Sequence, residues 1–437
     1  MSRSSSVLAT LLFITAFTRS ETPGAAAPGT ASASSVKEGS GAAGALDGDR
    51  FSAAPGACWK GRPGERCWYW QIRFAEPRSV GAILQVVGDA ENFFRNAPSS
   101  YVWQESLDGT VWREIPETNV ARERRTFRLH RLKHARRAQY LRLLVRKVDG
   151  DCPTLREVEF YAEPDAAVAF PEWCVSVNTL DDRLPGGGQN FLKMVRQVKG
   201  GDRLQAQEIK LGEFNESFLA AEPRPLCVFM SGNVTDWCQK DREDWRGAQE
   251  VLKNGRVPMW AACGGAQGLA ILSEYGVDKP WDCPHCRDPK NPLTPIYTHI
   301  RDRERRPCGD YSQCVREEGP TNVLQTAADP VFDGLPREFS IVQNHCGQIE
   351  WAPRGWVLVA TRGAGGKTRT QCLRVKDRYI YAAQFHFEAP GTLATSRVIM
   401  TNFLKLAREW GGYNPDAKPV PPPRSYAGLP GASGSRR

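Results

Sequence analysis

The stretch Val257–Leu272 reads Val-Pro-Met-Trp-Ala-Ala-Cys-Gly-Gly-Ala-Gln-Gly-Leu-Ala-Ile-Leu. A short apolar run, Val257–Ala262, stops at Cys263 and two glycines follow. From Gln267 an apolar run with helical spacing continues through Leu269, Ile271 and Leu272. The pattern predicts a buried strand, a tight turn and a helix, with a thiol at the turn. Such an elbow suits a nucleophile. Glycines after the thiol let the turn close and let a substrate approach the backbone. The positive end of the helix favours thiolate over thiol. The N–H of Gly264 points where an oxyanion would form. Taken alone, the stretch equally fits a structural cysteine buried between strand and helix.

A second stretch, Tyr379-Ile-Tyr-Ala-Ala-Gln-Phe-His-Phe-Glu388, reads as another strand that ends in a histidine with a carboxylate two residues on. A thiolate nucleophile needs a base that later returns the proton to a leaving amine. That base in turn needs a partner to fix its tautomer and stabilise its cation. His386 and Glu388, two apart at a strand end, direct both side chains to one side. Alone they would be read as a surface pair; beside the elbow they complete a nucleophile, a base and an orienting carboxylate.

With both stretches in hand, the chain resembles the class I glutamine amidotransferases. Cys263-Gly-Gly-Ala-Gln267 matches their Cys-x-Gly-x-Gln signature, and Gln384-Phe-His-Phe-Glu388 resembles their Gln-x-His-Pro-Glu. Leu226-Cys-Val-Phe-Met-Ser-Gly-Asn233 is similar to their third strand and its glycine-bearing oxyanion loop. The resemblance covers roughly Trp173–Tyr413. It implies catalytic Cys263, His386 and Glu388, an oxyanion hole at Gly232 and Gly264, and no cofactor or metal in the reaction. Val342-Gln-Asn-His-Cys-Gly-Gln348 resembles the pocket-lining segment of the γ-glutamyl hydrolase-like branch, so Gln267, His345 and Gln348 are expected at the substrate. Two departures leave substrate identity open: Phe387 replaces the usual proline, and Ser-Gly-Asn replaces Gly-Gly-Pro.

Around these motifs strands and helices alternate. Expected strands are Trp173–Thr179, Gln205–Lys210 and Leu226–Met230; expected helices are Asn190–Val198, Trp245–Lys253 and about Thr395–Trp410. The alternation predicts a three-layer α/β domain, residues 173–413, with a mostly parallel sheet. Asp282–Gly319, with four cysteines and many charges, reads as a crosslinked insertion near the site.

Residues 1–20 carry an apolar core, Val7–Phe17, after Arg3, and read as an export signal too short to span a bilayer. No other stretch is long and apolar enough for a membrane helix. Residues 21–44, rich in Ala, Gly, Ser and Thr, predict a flexible linker. From Ala45 to Ala162 many short alternating runs predict an all-β sandwich. Ala45-Leu-Asp-Gly48, Ser106-Leu-Asp-Gly-Thr-Val-Trp112 and the closing runs Tyr140–Leu143 and Leu155–Phe160 resemble the discoidin-like (coagulation-factor type C, galactose-binding-like) family. That resemblance implies attachment to a glycan or another surface. Arg122, Arg124, Arg125, Arg128, Arg131, Lys133, Arg136 and Arg137 form a basic run, either a solvated face or a footprint for an anionic polysaccharide. Nucleic acid does not fit, since no nucleic-acid-binding motif accompanies the run. Residues 414–437, rich in Pro, Gly, Ser and Arg, predict a disordered tail.

The 437 residues allow two cores, and the formal charge of +9 permits anionic partners without requiring one. With Cys263 set aside, an even number of the 13 cysteines remains, consistent with local disulfides such as Cys58/Cys67 and Cys308/Cys314 in an oxidising compartment. Cys283-Pro-His-Cys286 also allows a redox pair, or half a zinc site completed by Cys308 and Cys314. Disulfides are preferred, because Cys308/Cys314 lacks a knuckle spacing. The expected protein is an exported, periplasmic or cell-surface hydrolase of γ-glutamyl or related amides, acting through a thioester and tethered by its β domain. No stretch resembles an ammonia-consuming synthase. The alternative is an inactive amidotransferase-like protein that binds a ligand or serves as an adhesive surface component.

Overall fold

The computed structural model describes residues 29–426 except 52–55, 88–95, 149, 181–188, 202–203, 301–306, 313 and 390–392. The expected export signal lies outside the described residues. The first domain is an antiparallel β sandwich built on β1 (Gly29–Ala33), β2 (Trp68–Val87), β3 (Pro98–Ser106), β4 (Phe127–Val148) and β5 (Thr154–Tyr161). Runs that read as separate strands are fused. β2 and β4 pair along their whole length, with register shifts between Arg73 and Arg78 and between Val80 and Ala82 where the ribbon bends. Inward residues alternate with outward ones, and Trp59, Trp70, Trp103, Phe74 and Phe160 fill the core. Trp70–Trp103 and Trp103–Phe160 meet edge to face at 6.3 and 5.9 Å.

The segment expected as a linker belongs partly to this domain. β1 pairs with β2 from Gly29↔Phe74 to Ala33↔Trp70, and Ala42–Leu46 forms a 3-10 turn with Ala45 buried. The small residues here answer to close packing. A Cβ on Gly29 would stand 2.6 Å from the Ile72 side chain, and one on Gly44 would stand 2.0 Å from the Gly56 carbonyl oxygen. Residues 414–426 of the expected disordered tail are also ordered, and the rest of it lies outside the described residues. Arg424–Ser425 pairs with Ala327–Ala328, Val420 N–H donates to Asp377 O at 3.0 Å, and the Arg374 guanidinium donates to Pro421 O at 2.8 Å.

The second domain contains β6 (Trp173–Asn178), α1 (Gln189–Val195), β7 (Gln205–Lys210), β8 (Cys227–Met230), α2 (Arg246–Asn254), β9 (Met259–Ala262) and α3 (Gly264–Tyr275). These are followed by β10 (Tyr297–His299), β11 (Glu317–Gln325), β12 (Glu338–His345), β13 (Gly347–Ile349), β14 (Trp356–Arg362), β15 (Thr370–Val375), β16 (Ile380–Ala383) and α4 (Ala394–Trp410). The nine-stranded sheet runs β7-β6-β8-β9-β16-β15-β14-β11-β12. Its first five strands are parallel, as expected, and carry the candidate site. The remaining four are antiparallel, so the sheet is mixed. Successive residues of the central strands enter opposite cores. Val228, Met230, Met259 and Ala261 pack toward α2 and α3; Cys227, Phe229, Trp260 and Ala262 pack toward α1 and α4.

The two domains share a buried junction that accounts for much of the basic run. Arg125, 1% exposed, donates from its guanidinium to the carbonyl oxygens of Phe127, Phe218 and Pro223, and lies 5.0 Å from the Trp173 ring. Arg124 pairs with Glu213 at 2.6 Å and Arg131 with Glu222 at 2.9 Å. Thr126 donates twice to Gln207 Oε1, and Phe127 meets Trp173 edge to face at 5.4 Å. Arg128 and Arg136 pair with carboxylates inside the sandwich, whereas Arg122, Lys133 and Arg137 are exposed. Neither a wholly solvated face nor one continuous footprint for an anionic polysaccharide describes this run. Removing Arg125 leaves buried carbonyls without a donor. Arg125→Ala is therefore expected to lower stability by about 3 kcal/mol, read as a lower urea midpoint, while Lys133→Ala stays within about 0.5 kcal/mol of the parent.

Candidate active site

Register places the site. β9 pairs in parallel with β8 on one side and β16 on the other, with Ala262 opposite Ala383. Cys263 follows Ala262 directly, and its N–H donates to Ala383 O at 2.7 Å. Its backbone turns at φ +47°, ψ −113°, a strained conformation for a residue with a side chain. α3 starts at the next residue, and Gln267 N–H returns to Cys263 O at 3.0 Å. The predicted strand, elbow and helix are all present, with Cys263 7% exposed and its sulfur 3.9 Å from Asn344 O.

The loop after β8 closes onto this elbow. A Cβ on Gly264 would stand 2.2 Å from Asn233 Cβ and 2.3 Å from Asn233 N, so only glycine permits the approach. A Cβ on Gly232 would stand 3.5 Å from Cys263 Cβ and 3.4 Å from His386 Cε1. Gly232 and Gly264 thus both border the thiol.

His386 and Glu388 lie beyond the end of β16. His386 N–H donates to Val342 O at 2.8 Å, which ties the segment to β12. Phe385 and Phe387 alternate with them into the core, where the Phe387 ring lies 4.8 Å from Trp260 and 5.6 Å from Phe191. The residue in the proline position is thus an apolar anchor for the segment. His386 Nδ1 lies 2.7 Å from Glu388 Oε1, while Nε2 is buried without a hydrogen-bond partner. Burial opposes the imidazolium, but the Glu388 carboxylate and the Cys263 sulfur outweigh it and hold the His386 pKa well above the ordinary histidine value.

Cys263 opens onto a cavity of about 250 Å³. Gln267 and His345 line it, as expected from the sequence. Gln267 donates to Gln384 Oε1 at 3.2 Å. His345 is held by Gly347 O at 2.9 Å and Gln343 Oε1 at 3.0 Å, with Glu317 3.4 Å away. Burial would raise Glu317, but hydrogen bonding from His345 and from Lys367 N–H brings it down to about 2. Gln348 does not line the cavity. It alternates with Gly347 on β13 and turns its amide to Thr298 at 3.2 Å and Glu350 at 2.8 Å. Asn344, Cys346 and Gly347, from the segment expected to line the pocket, border it as well; Asn233, Val234, Thr235, Tyr297, Tyr311 and Arg316, which sequence reasoning did not single out, complete the lining. Tyr297, Tyr311 and Arg316 come from the insertion, whose position near the site was expected but which has no periodicity to show which residues turn inward.

Comparison with known proteins agrees with this architecture. Residues 30–158 match the F5/8 type C domain and residues 227–406 match glutamine amidotransferase class-I. The chain therefore carries a discoidin-like domain followed by a class I glutamine amidotransferase-like domain. GMP synthase (glutamine-hydrolyzing) of Thermosipho africanus is 33% identical over 170 residues, 38% of this chain and 31% of that protein. The Thermosipho melanesiensis counterpart is 28% identical over 105 residues, 23% of this chain and 20% of its own length. The chain thus spans less than a third of either relative. Among solved structures, a Thermoplasma acidophilum protein assigned as one of the subunits of GMP synthase overlaps 56% of this chain and 98% of its own, at 18% identity and a TM-score of 0.40. A chitosan-binding module of a Paenibacillus chitosanase/glucanase overlaps 30% of this chain and 94% of its own, at 22% identity and a TM-score of 0.26.

The contact between Gly264 and Asn233 gives a direct test. Gly264→Ala is expected to cost about 1–3 kcal/mol through overpacking and to slow alkylation of Cys263, as the loop is pushed off the elbow. Thermal unfolding and thiol labelling on one preparation measure both effects.

Proposed function

We propose that the second domain hydrolyses the side-chain amide of glutamine or a related γ-glutamyl amide, with Cys263 as nucleophile. The observation that carries this is the ordered pair His386–Glu388: one imidazole nitrogen is fixed by a carboxylate at 2.7 Å, the other is buried, and the ring is close enough to the elbow thiol to interact with it. Cys263 attacks the amide carbon, and the new oxyanion is received by backbone N–H groups at Gly264 and Gly232, each worth a few kcal/mol of barrier. His386 takes the thiol proton and gives it to departing ammonia or amine, leaving a thioester. Water, activated by the now neutral His386, releases the acid. Glu388 holds the tautomer and stabilises the imidazolium. Gln267 and His345 shape the acyl pocket, and Arg316 offers a cation to the substrate's α-carboxylate.

The named activity of the glutamine-hydrolyzing relatives supports the substrate class. We read the protein as an exported hydrolase, held at a glycan or other surface by its discoidin-like domain. The apolar stretch Val7–Phe17 and the F5/8 type C match support this. No helix among the described residues is long and apolar enough to cross a membrane.

Cys263→Ala should reduce ammonia release from glutamine by about 10⁴-fold or more and abolish the covalent adduct formed by an electrophilic glutamine analogue. Unchanged release, or an adduct on another cysteine, would overturn the assignment. Glu388→Gln supplies the electrostatic test. The carboxylate raises the His386 pKa, so its neutral amide lets that pKa fall. The alkaline limb of kcat/KM, where His386 loses the proton owed to the leaving group, should therefore move to lower pH.

A further inference from the structure

The insertion that walls the cavity holds a cluster of thiols that the hydrolytic chemistry does not use. Cys238 lies on the 3-10 turn Trp237–Gln239, shortly after the Ser231–Asn233 loop. Cys283 and Cys286 stand at the start of the insertion and Cys308 farther along it. Their sulfurs converge. Cys283–Cys286 and Cys238–Cys308 are each 3.5 Å apart, Cys283–Cys308 is 3.4 Å, and all four sulfurs lie within 4.8 Å of one another. Cys308, expected with Cys314, is instead grouped with residues distant in sequence, and Cys314 sits 3.8 Å from His299 Nδ1.

Two separate disulfides would not require this convergence. A disulfide brings its own two sulfurs to about 2.05 Å and leaves the other pair free to lie elsewhere. Here Cys283 is as close to Cys308 as it is to Cys286. Thiolates about 2.3 Å from a tetrahedral zinc ion stand about 3.8 Å apart, close to the three separations observed. Cys283 is buried, Cys238 and Cys308 are half-buried and Cys286 is exposed, which gives a closed ligand set with one edge open for metal entry. Cys283 N–H donates to Cys286 Sγ at 3.3 Å, a backbone bond of the kind that supports a thiolate. The neighbouring group His285, His299 and Cys314 supplies only three donors, and His299 Nε2 already meets the Tyr297 hydroxyl at 3.1 Å.

We propose that Cys238, Cys283, Cys286 and Cys308 bind one structural zinc ion as a tetrathiolate. The ion staples the insertion to the segment just after the Ser231–Asn233 loop. Two hydrogen bonds join the same pieces of chain: Gly309 N–H to Asp236 Oδ2 at 2.6 Å, and Gln239 Nε2 to Cys308 O at 3.2 Å. Through Tyr297 and Tyr311, the stapled insertion fixes one wall of the cavity above Cys263. Soft thiolate donors in this geometry select zinc over harder cations, and all four must be deprotonated to bind.

Metal analysis and intact-mass measurement of the full chain, made in zinc-supplemented medium and purified without chelator, test this directly. Expected is about one zinc per chain, retained in Cys263→Ala and Cys314→Ser but lost in Cys308→Ser. Cobalt exchanged into the unsubstituted protein should show intense near-ultraviolet sulfur-to-metal charge transfer and the visible bands of a tetrahedral ion. That readout holds even if Cys308→Ser fails to fold. Metal-free protein with a mass lowered by two disulfides, mapped to these four cysteines, would overturn the proposal. So would metal-free protein in which all four thiols alkylate freely under native conditions, or zinc that survives in folded Cys308→Ser.

Discussion

The parallel register of β9 against β16 is the constraint on which the site depends. With Ala262 opposite Ala383, Cys263 is the first residue past one strand end and His386 the third past its neighbour. Backbone hydrogen bonds, and not flexible side chains, therefore set the distance between thiol and imidazole. The strained turn at Cys263 persists because it is held from several sides: Ala383 O takes its N–H, α3 takes its carbonyl, and Asn233 presses on Gly264. The site occupies the carboxyl ends of the parallel strands, where an α/β sheet leaves a crevice between its connecting loops. The antiparallel half contributes differently. β12 and the turn after it bring Asn344 and His345 to the cavity and fix His386 through Val342 O.

A second constraint acts between the domains. A guanidinium as buried as that of Arg125 is tolerated because three carbonyl oxygens accept from it and aromatic rings cover it. The apolar contacts of Phe127 with Phe170 and with Trp173 extend the core of the second domain into the first. Anything bound by the sandwich would therefore sit at a set orientation to the cavity at Cys263, with no flexible linker between them. The short connection Glu163–Glu172 fits such docking, since Arg131 binds Pro164 O and Ala166 O within it.

Much of the fold, and the placing of Cys263, His386 and Glu388 at neighbouring strand ends, was legible in the sequence because it rests on local patterns. An apolar run, a thiol and glycines define an elbow; a His-x-Glu just past a strand end sets an imidazole against a carboxylate. What escaped depends on distant contacts. The Gly- and Ala-rich segment from Gly29 carries the composition of a linker, yet its small side chains serve a tight strand pairing with β2. The arginine run looked like one surface, but its members divide among a junction, internal ion pairs and solvent. Gln348 lies next to a cavity residue and still faces away, because β13 alternates. Cys238 gave no sign of belonging with Cys283, since they stand 45 positions apart and no motif links them.

The cavity holds a second thiol, and its environment explains why only one of the two has the surroundings of a nucleophile. Cys346 lines the same space as Cys263. Burial, reinforced by the nearby Cys263 sulfur, pushes the Cys346 thiol up to about 11, so near neutral pH it stays protonated and weakly nucleophilic. It sits in the turn between β12 and β13, without a helix N-terminus behind it. Cys263 has that helix, a strained turn that presents its sulfur to the cavity, and a histidine whose proton affinity is raised by a fixed carboxylate. The two thiols therefore differ in surroundings: a helix end and an imidazole stand at Cys263 and not at Cys346. A negative charge on the Cys263 sulfur would further disfavour ionisation of Cys346.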